Sequence, residues 1–185
     1  MFYPLLMFFQ KHRKGQVHSN AEKTVPLESF YELKLTLNDG TLLPVSHFKG
    51  RKVLIVNTAS DCGYTAQYGE LQKLYGQMAG RLEIIAFPSN EFKEQEKGSD
   101  EGIATFCRNL YGVHFPIAKK SNVKKSSVQN EVFQWLTRKE KNGWNDQEPQ
   151  WNFSKYLVNE QGILMHYFAS SVSPLSDSFI KLIDE

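Results

Sequence analysis

Two apolar runs, "VLIV" (Val53–Val56) and "LEIIAF" (Leu82–Phe87), constrain this chain more than any other feature. Neither shows the alternation of a half-exposed strand. A short, continuous, β-branched run is the pattern of a strand covered on both faces. Between the runs, Tyr68, Leu71, Tyr75 and Met78 place one apolar stripe on a helix over Thr65–Ala79, ended by Gly80. Strand, helix and strand within about 35 residues predict a right-handed βαβ unit with parallel strands.

The remaining elements extend that unit. "FYELKLTLNDG" (Phe30–Gly40) alternates and ends in a turn sequence, predicting a strand that Leu42, Leu43, Val45 and Phe48 continue. "GSDEGIATFCRNLYG" predicts a helix with Ser99 as N-cap, acids in its first turn and Gly112 at its end. A further helix is expected over Asn130–Glu140, and a final one over Pro174–Ile183. "KYLVNEQGILMHYF" (Lys155–Phe168) reads as two strands around an Asn-Glu-Gln-Gly turn. Helices interleaved with a mixed sheet predict a three-layer α/β/α sandwich.

One domain suits 185 residues, and a hydrophobic fraction of 41% supplies its core. Its start is expected near Leu27. Residues 1–26 read as an extension: an apolar stretch Met1–Phe9, basic residues, then a polar linker Ala21–Pro26. Met1–Phe9 is too short to span a bilayer and carries its charge on the wrong side for a secretory signal. It reads as a surface-lying membrane contact, a remnant or a misplaced start; a cytoplasmic location is expected, with membrane association through this segment as the variant.

A net charge of +2, with basic residues spread along the chain, argues against a nucleic-acid partner. The five histidines lack HxxxH or HxH spacing and there is no CxxC, so no metal is expected. The two cysteines, Cys62 and Cys107, allow two inert thiols, one bridge or a redox pair. Cys62 falls between a buried strand and a helix start, where unpaired amides favour a thiolate. By position alone, a reactive thiol and a space-filling one are equally good readings.

The motif around Cys62 decides between them by resemblance. "VNTASDCGYTAQYGEL", "FPSNEFKEQEKGSDEGI", "FCRNLYGVHFPI" and "WNFSKYLVNEQG" follow in order, and each resembles a motif of the glutathione peroxidase family. The similarity runs from about Phe30 to Ile183. It implies a thioredoxin-like fold and reduction of hydrogen peroxide and organic or lipid hydroperoxides, with a role in protection against oxidative stress. Carried over by position, it implies Cys62 as the peroxidatic cysteine and Gln95, Trp151 and Asn152 as its companions. These are neutral donors suited to a thiolate and a departing oxygen, and they are expected to depress the thiol pKa.

The resemblance also implies that Cys107 resolves a Cys62 sulfenic acid into a disulfide, recycled by a thioredoxin-type dithiol or by glutathione, with no other cofactor. A helical Cys107 is expected to need local unfolding to reach Cys62. Ser89 stands where most relatives have a cysteine, and Glu91, Lys93 and Glu94 replace the usual glutamine and small residues. Tetrameric relatives carry extra loop between Lys120 and Trp151, so by resemblance the fairly short segment here implies a monomer or weak dimer. The alternative function is a peroxide sensor that passes oxidation to a partner protein.

Overall fold

The computed structural model describes residues 17–185. Its strands are β1 (Val17–Ser19), β2 (Lys34–Thr36), β3 (Leu42–Pro44), β4 (Lys52–Thr58), β5 (Leu82–Pro88), β6 (Lys155–Val158) and β7 (Leu164–Phe168). Its helices are α1 (Gln67–Gln77), α2 (Asp100–Tyr111), α3 (Glu131–Leu136), α4 (Lys139–Asn142) and α5 (Asp177–Asp184). Five strands form a mixed sheet in the order β1-β7-β6-β4-β5, with β4 and β5 parallel and the other pairs antiparallel. β2 and β3 make a separate hairpin.

β4 shows why its run is continuous. Val53 and Ile55 point into one apolar core with Phe133, Trp135 and Tyr156. Leu54 and Val56 point into the other, with Tyr68, Leu71, Ile103 and Phe179. A period of two with both faces covered leaves no place for a polar residue. Helices α1, α2 and α5 therefore cover one face and α3 the other, giving the expected thioredoxin-like α/β/α sandwich. Active residues placed after β4 sit at the carboxyl edge of the sheet, where the chain turns into α1.

Two segments differ from their sequence patterns. Phe30–Glu32 is a 3-10 turn; of the expected long strand, Lys34–Thr36 pairs with β3 and Leu37 makes an isolated bridge with Ala118. Ser29 starts the turn by accepting from the Tyr31 amide, while Phe30 is buried against Trp135 with ring centroids 5.0 Å apart. The helix expected over Asn130–Glu140 breaks after Leu136. Thr137 turns its hydroxyl back onto the Phe133 carbonyl at 2.7 Å, a bond that competes with helix continuation.

The sheet also begins earlier than Leu27. β1 lies within the stretch assigned to the extension, yet it pairs with β7. Asn20 is buried and donates from its backbone to Met165 and from its side chain to Leu164. The supposed linker is held as well: Leu27 and Glu28 donate to the Lys141 carbonyl, and the Trp135 indole donates to Glu28. Gly143, at φ +97°, allows this approach, since a Cβ there would meet the Val25 oxygen at 2.5 Å. Among the described residues no helix is long and apolar enough to cross a membrane; Met1–Phe9 lies outside them. Deleting residues 1–26 is expected to cost about 2–4 kcal/mol more stability than deleting residues 1–16, through the lost hydrogen bonds and burial. Urea unfolding of the two truncated proteins measures the difference.

Candidate active site

β4 ends at Thr58, and the chain makes a series of tight turns before α1 begins at Gln67. Thr65 organises these turns. Its hydroxyl accepts from the Cys62 amide at 3.0 Å and has the Ala59 and Cys62 carbonyls within reach as acceptors. Its own amide donates to the Cys62 carbonyl at 3.0 Å. The half-buried Cys62 sulfur accepts from the Tyr64 amide at 3.4 Å. The amide that favours a thiolate thus belongs to this turn, ahead of the first turn of α1.

Two distant segments close on the loop. The Asp61 amide donates to the Gln95 carbonyl at 3.0 Å, joining the Cys62 loop to the segment after β5. Asn57, at the end of β4, holds the Trp151–Ser154 turn: its side chain donates to the Trp151 carbonyl, and its carbonyl accepts from the Phe153 amide at 2.6 Å. Asn152 is fully buried and donates to the Gln95 side-chain oxygen at 3.0 Å. The indole nitrogen of Trp151 is buried without a hydrogen-bond partner. Both Trp151 and Asn152 act on Cys62 by favouring its charged form. The Gln95 side-chain oxygen is engaged by Asn152, which leaves the Gln95 amide nitrogen as the end with donors to offer.

The thiol itself does not follow the expectation of a lowered pKa. Burial is the largest influence and pushes Cys62 above the ordinary thiol value. The Tyr64 amide, the Trp151 indole and the Asn152 amide oppose that push, and the Asp61 charge adds to it. Desolvation wins because all three donors are neutral while the sulfur has lost much of its water. Cys107, fully buried on α2, is pushed up to about 11 by the same cause, with Tyr68 opposing. Both cysteines are free thiols.

The backbone around these donors is strained. Lys93, Glu94 and Phe153 hold φ of +52°, +54° and +66°, flanking Gln95 on one side and Asn152 on the other. Such residues cost about 1–3 kcal/mol each and persist where surrounding contacts impose them. A cleft of about 400 Å³ lies between the Cys62 loop and α2, lined by Ser60, Asp61, Gln95, Glu96, Ile103 and Phe106. Asn57 and Thr65 were not singled out from sequence. Their signal was present, as polar residues embedded in an otherwise apolar or turn-forming motif.

This site can be compared with known proteins. The family model described as glutathione peroxidase matches residues 30–137. The chain belongs to the glutathione peroxidase family. It is 43% identical over 149 residues to the glutathione peroxidase-like peroxiredoxin gpx1 of Schizosaccharomyces pombe, covering 80% of this chain and 93% of that protein. It is 39% identical over 162 residues to the glutathione peroxidase-like peroxiredoxin HYR1 of Saccharomyces cerevisiae, covering 86% and 99%. Among solved structures it resembles Trgpx in its apo form, with TM-score 0.64, 31% identity and coverage of 86% and 97%. A DsbF homologue from Corynebacterium diphtheriae shares the fold, with TM-score 0.65 at 10% identity and coverage of 94% and 93%. As a member of its family the chain is a thiol peroxidase that reduces hydroperoxides.

Replacing Trp151 by Phe or Asn152 by Ala removes a group that favours the charged form of the sulfur. Each change is expected to raise the Cys62 pKa by about one to two units, the equivalent of a hydrogen bond to a charged group. The pH dependence of alkylation of Cys62 in a Cys107→Ser background measures it.

Proposed function

We propose that Cys62 is the attacking nucleophile of this peroxidase and that Trp151 and Asn152 supply its electrostatic support. The sulfur attacks the terminal peroxide oxygen. An S–O bond forms, the O–O bond breaks, and the thiol proton ends on the departing oxygen, leaving Cys62 sulfenic acid and an alcohol or water. The observation that carries this reading is the buried Trp151 indole N–H, unpartnered and influencing the one half-buried thiol. A buried donor left unsatisfied is costly, and charge developing on sulfur or oxygen during the reaction satisfies it. Each such donor contributes about 2.7–4 kcal/mol at comparable oxyanion sites.

Cys107 then attacks the sulfenic acid, forming the Cys62–Cys107 disulfide and releasing water. Ser89 leaves no third thiol to compete. Cys62 packs against the same core that holds Cys107, but Cys107 lies inside α2. A disulfide needs Cα atoms within about 4.4–6.8 Å, so α2 opens locally during turnover. Ile103, Ala104 and Cys107 of the helix are buried and Phe106 and Tyr111 partly so, and opening must break that packing. A thioredoxin-type dithiol reduces the bridge by exchange, becoming a disulfide itself. The relatives named glutathione peroxidase-like peroxiredoxins support this reductant over glutathione.

NADPH consumption with hydrogen peroxide, thioredoxin and thioredoxin reductase tests the cycle. Cys62→Ser is expected to abolish turnover. Cys107→Ser is expected to lose thioredoxin-driven turnover while still consuming about one peroxide per chain. Mass spectrometry of the peroxide-treated protein is expected to find the Cys62–Cys107 link; its absence overturns the resolving step. A protein that merely relays oxidation to a client turns over slowly in this assay.

A further inference from the structure

Lys155 is a charged residue type on the central strand β6, and none of its surface is exposed. A lysine buried to this degree without a salt bridge is rare, and its burial lowers its pKa to about 7. Its amino group donates to two carbonyl oxygens, of Phe153 and Val172, each at 2.8 Å. The first of these belongs to the strained turn of the active site.

Phe153 is a bulky residue at φ +66°, where only an imposed backbone persists. Three restraints hold it. Its amide donates to Asn57 on β4, its ring packs edge-on against Tyr68 on α1 at 5.3 Å, and its carbonyl accepts from Lys155. Trp151 and Asn152 belong to this turn, directly before Phe153, so its geometry sets where their donors aim. Through Val172, the same amino group ties the turn to the segment after β7. Glu70 on α1 is the one carboxylate that favours the charged form, and it is itself held by the Ser173 hydroxyl at 2.7 Å.

We infer that Lys155 is a positioning residue of the peroxidase: its amino group clamps the Phe153 carbonyl and so fixes the turn that aims Trp151 and Asn152 at Cys62. It touches no reacting atom. The inference rests on Cys62 being the attacking thiol, which the Cys62→Ser variant tests separately.

Lys155→Met keeps the length of the side chain and removes its donors. In the Cys107→Ser background, the rate constant for oxidation of Cys62 by hydrogen peroxide is expected to fall about tenfold to a hundredfold, the scale of a small misplacement. The Cys62 pKa is expected to rise by about one unit. A purely structural lysine lowers Tm and leaves both quantities alone. In a Trp151→Phe/Asn152→Ala background the effect of Lys155→Met is expected to vanish, because nothing remains to be aimed. An effect that persists there in full, or no effect in the first background, overturns the inference. If Lys155→Met does not fold, Lys155→Gln carries the test: its shorter amide cannot reach both the Phe153 and the Val172 carbonyls that the lysine holds, and the Cys62 pKa is expected to rise. A folded Lys155→Gln protein with an unchanged Cys62 pKa also overturns the inference.

Discussion

Burial of the Cys62 sulfur penalises its thiolate, and the groups opposing that penalty are the Tyr64 amide, the Trp151 indole and the Asn152 amide. The rest of the site follows from this balance. A charged neighbour would lower the thiol pKa more strongly, but it would also attract water and counter-ions into the cleft. Fixed neutral donors have their largest effect when charge appears, because they need little reorganisation. Burial thus pushes the Cys62 pKa up, and the three donors oppose that push.

Holding those donors still is the work of the fold. Asn57 at the end of β4 grips the Trp151–Ser154 turn by backbone and side chain, and Asp61 ties the Cys62 loop to Gln95. Left-handed backbone at Lys93, Glu94 and Phe153 lies beside these contacts. Strain of this kind is tolerated because two apolar cores, one on each face of the sheet, fix β4 and its neighbours from both sides. α2, which carries Cys107, buries Ile103, Ala104 and Cys107 and packs Phe106 and Tyr111 partly against the same core. The proposed cycle therefore asks a packed helix to open locally while the attacking site stays fixed.

Sequence pattern revealed those parts of the structure that local periodicity determines. β4, β5, α1 and α2 were legible because burial on two faces, or on one helical stripe, leaves a direct mark on residue order. β1 and the Asn20–Glu28 segment were not: a short edge strand and a polar stretch held by backbone hydrogen bonds carry no hydrophobic period. The pairing of Gln95 with Asn152 spans distant parts of the chain and came into view only through the family resemblance. Even then its direction was hidden, since sequence does not say which end of an amide is occupied. The sign of the Cys62 shift was illegible for a similar reason. It depends on how much water the folded chain removes from one sulfur, a tertiary quantity.

The most direct measurement is the rate of Cys62 oxidation by hydrogen peroxide at a pH well above the thiol pKa, in Cys107→Ser with and without Trp151→Phe. The sulfur is then fully ionised in both proteins, so any difference reflects the departing oxygen and not the population of thiolate. If the indole stabilises developing charge, peroxide oxidation falls by about a hundredfold while alkylation by a neutral iodoacetamide changes little. Equal losses in both reactions, or none in either, would contradict a role for Trp151 in breaking the O–O bond.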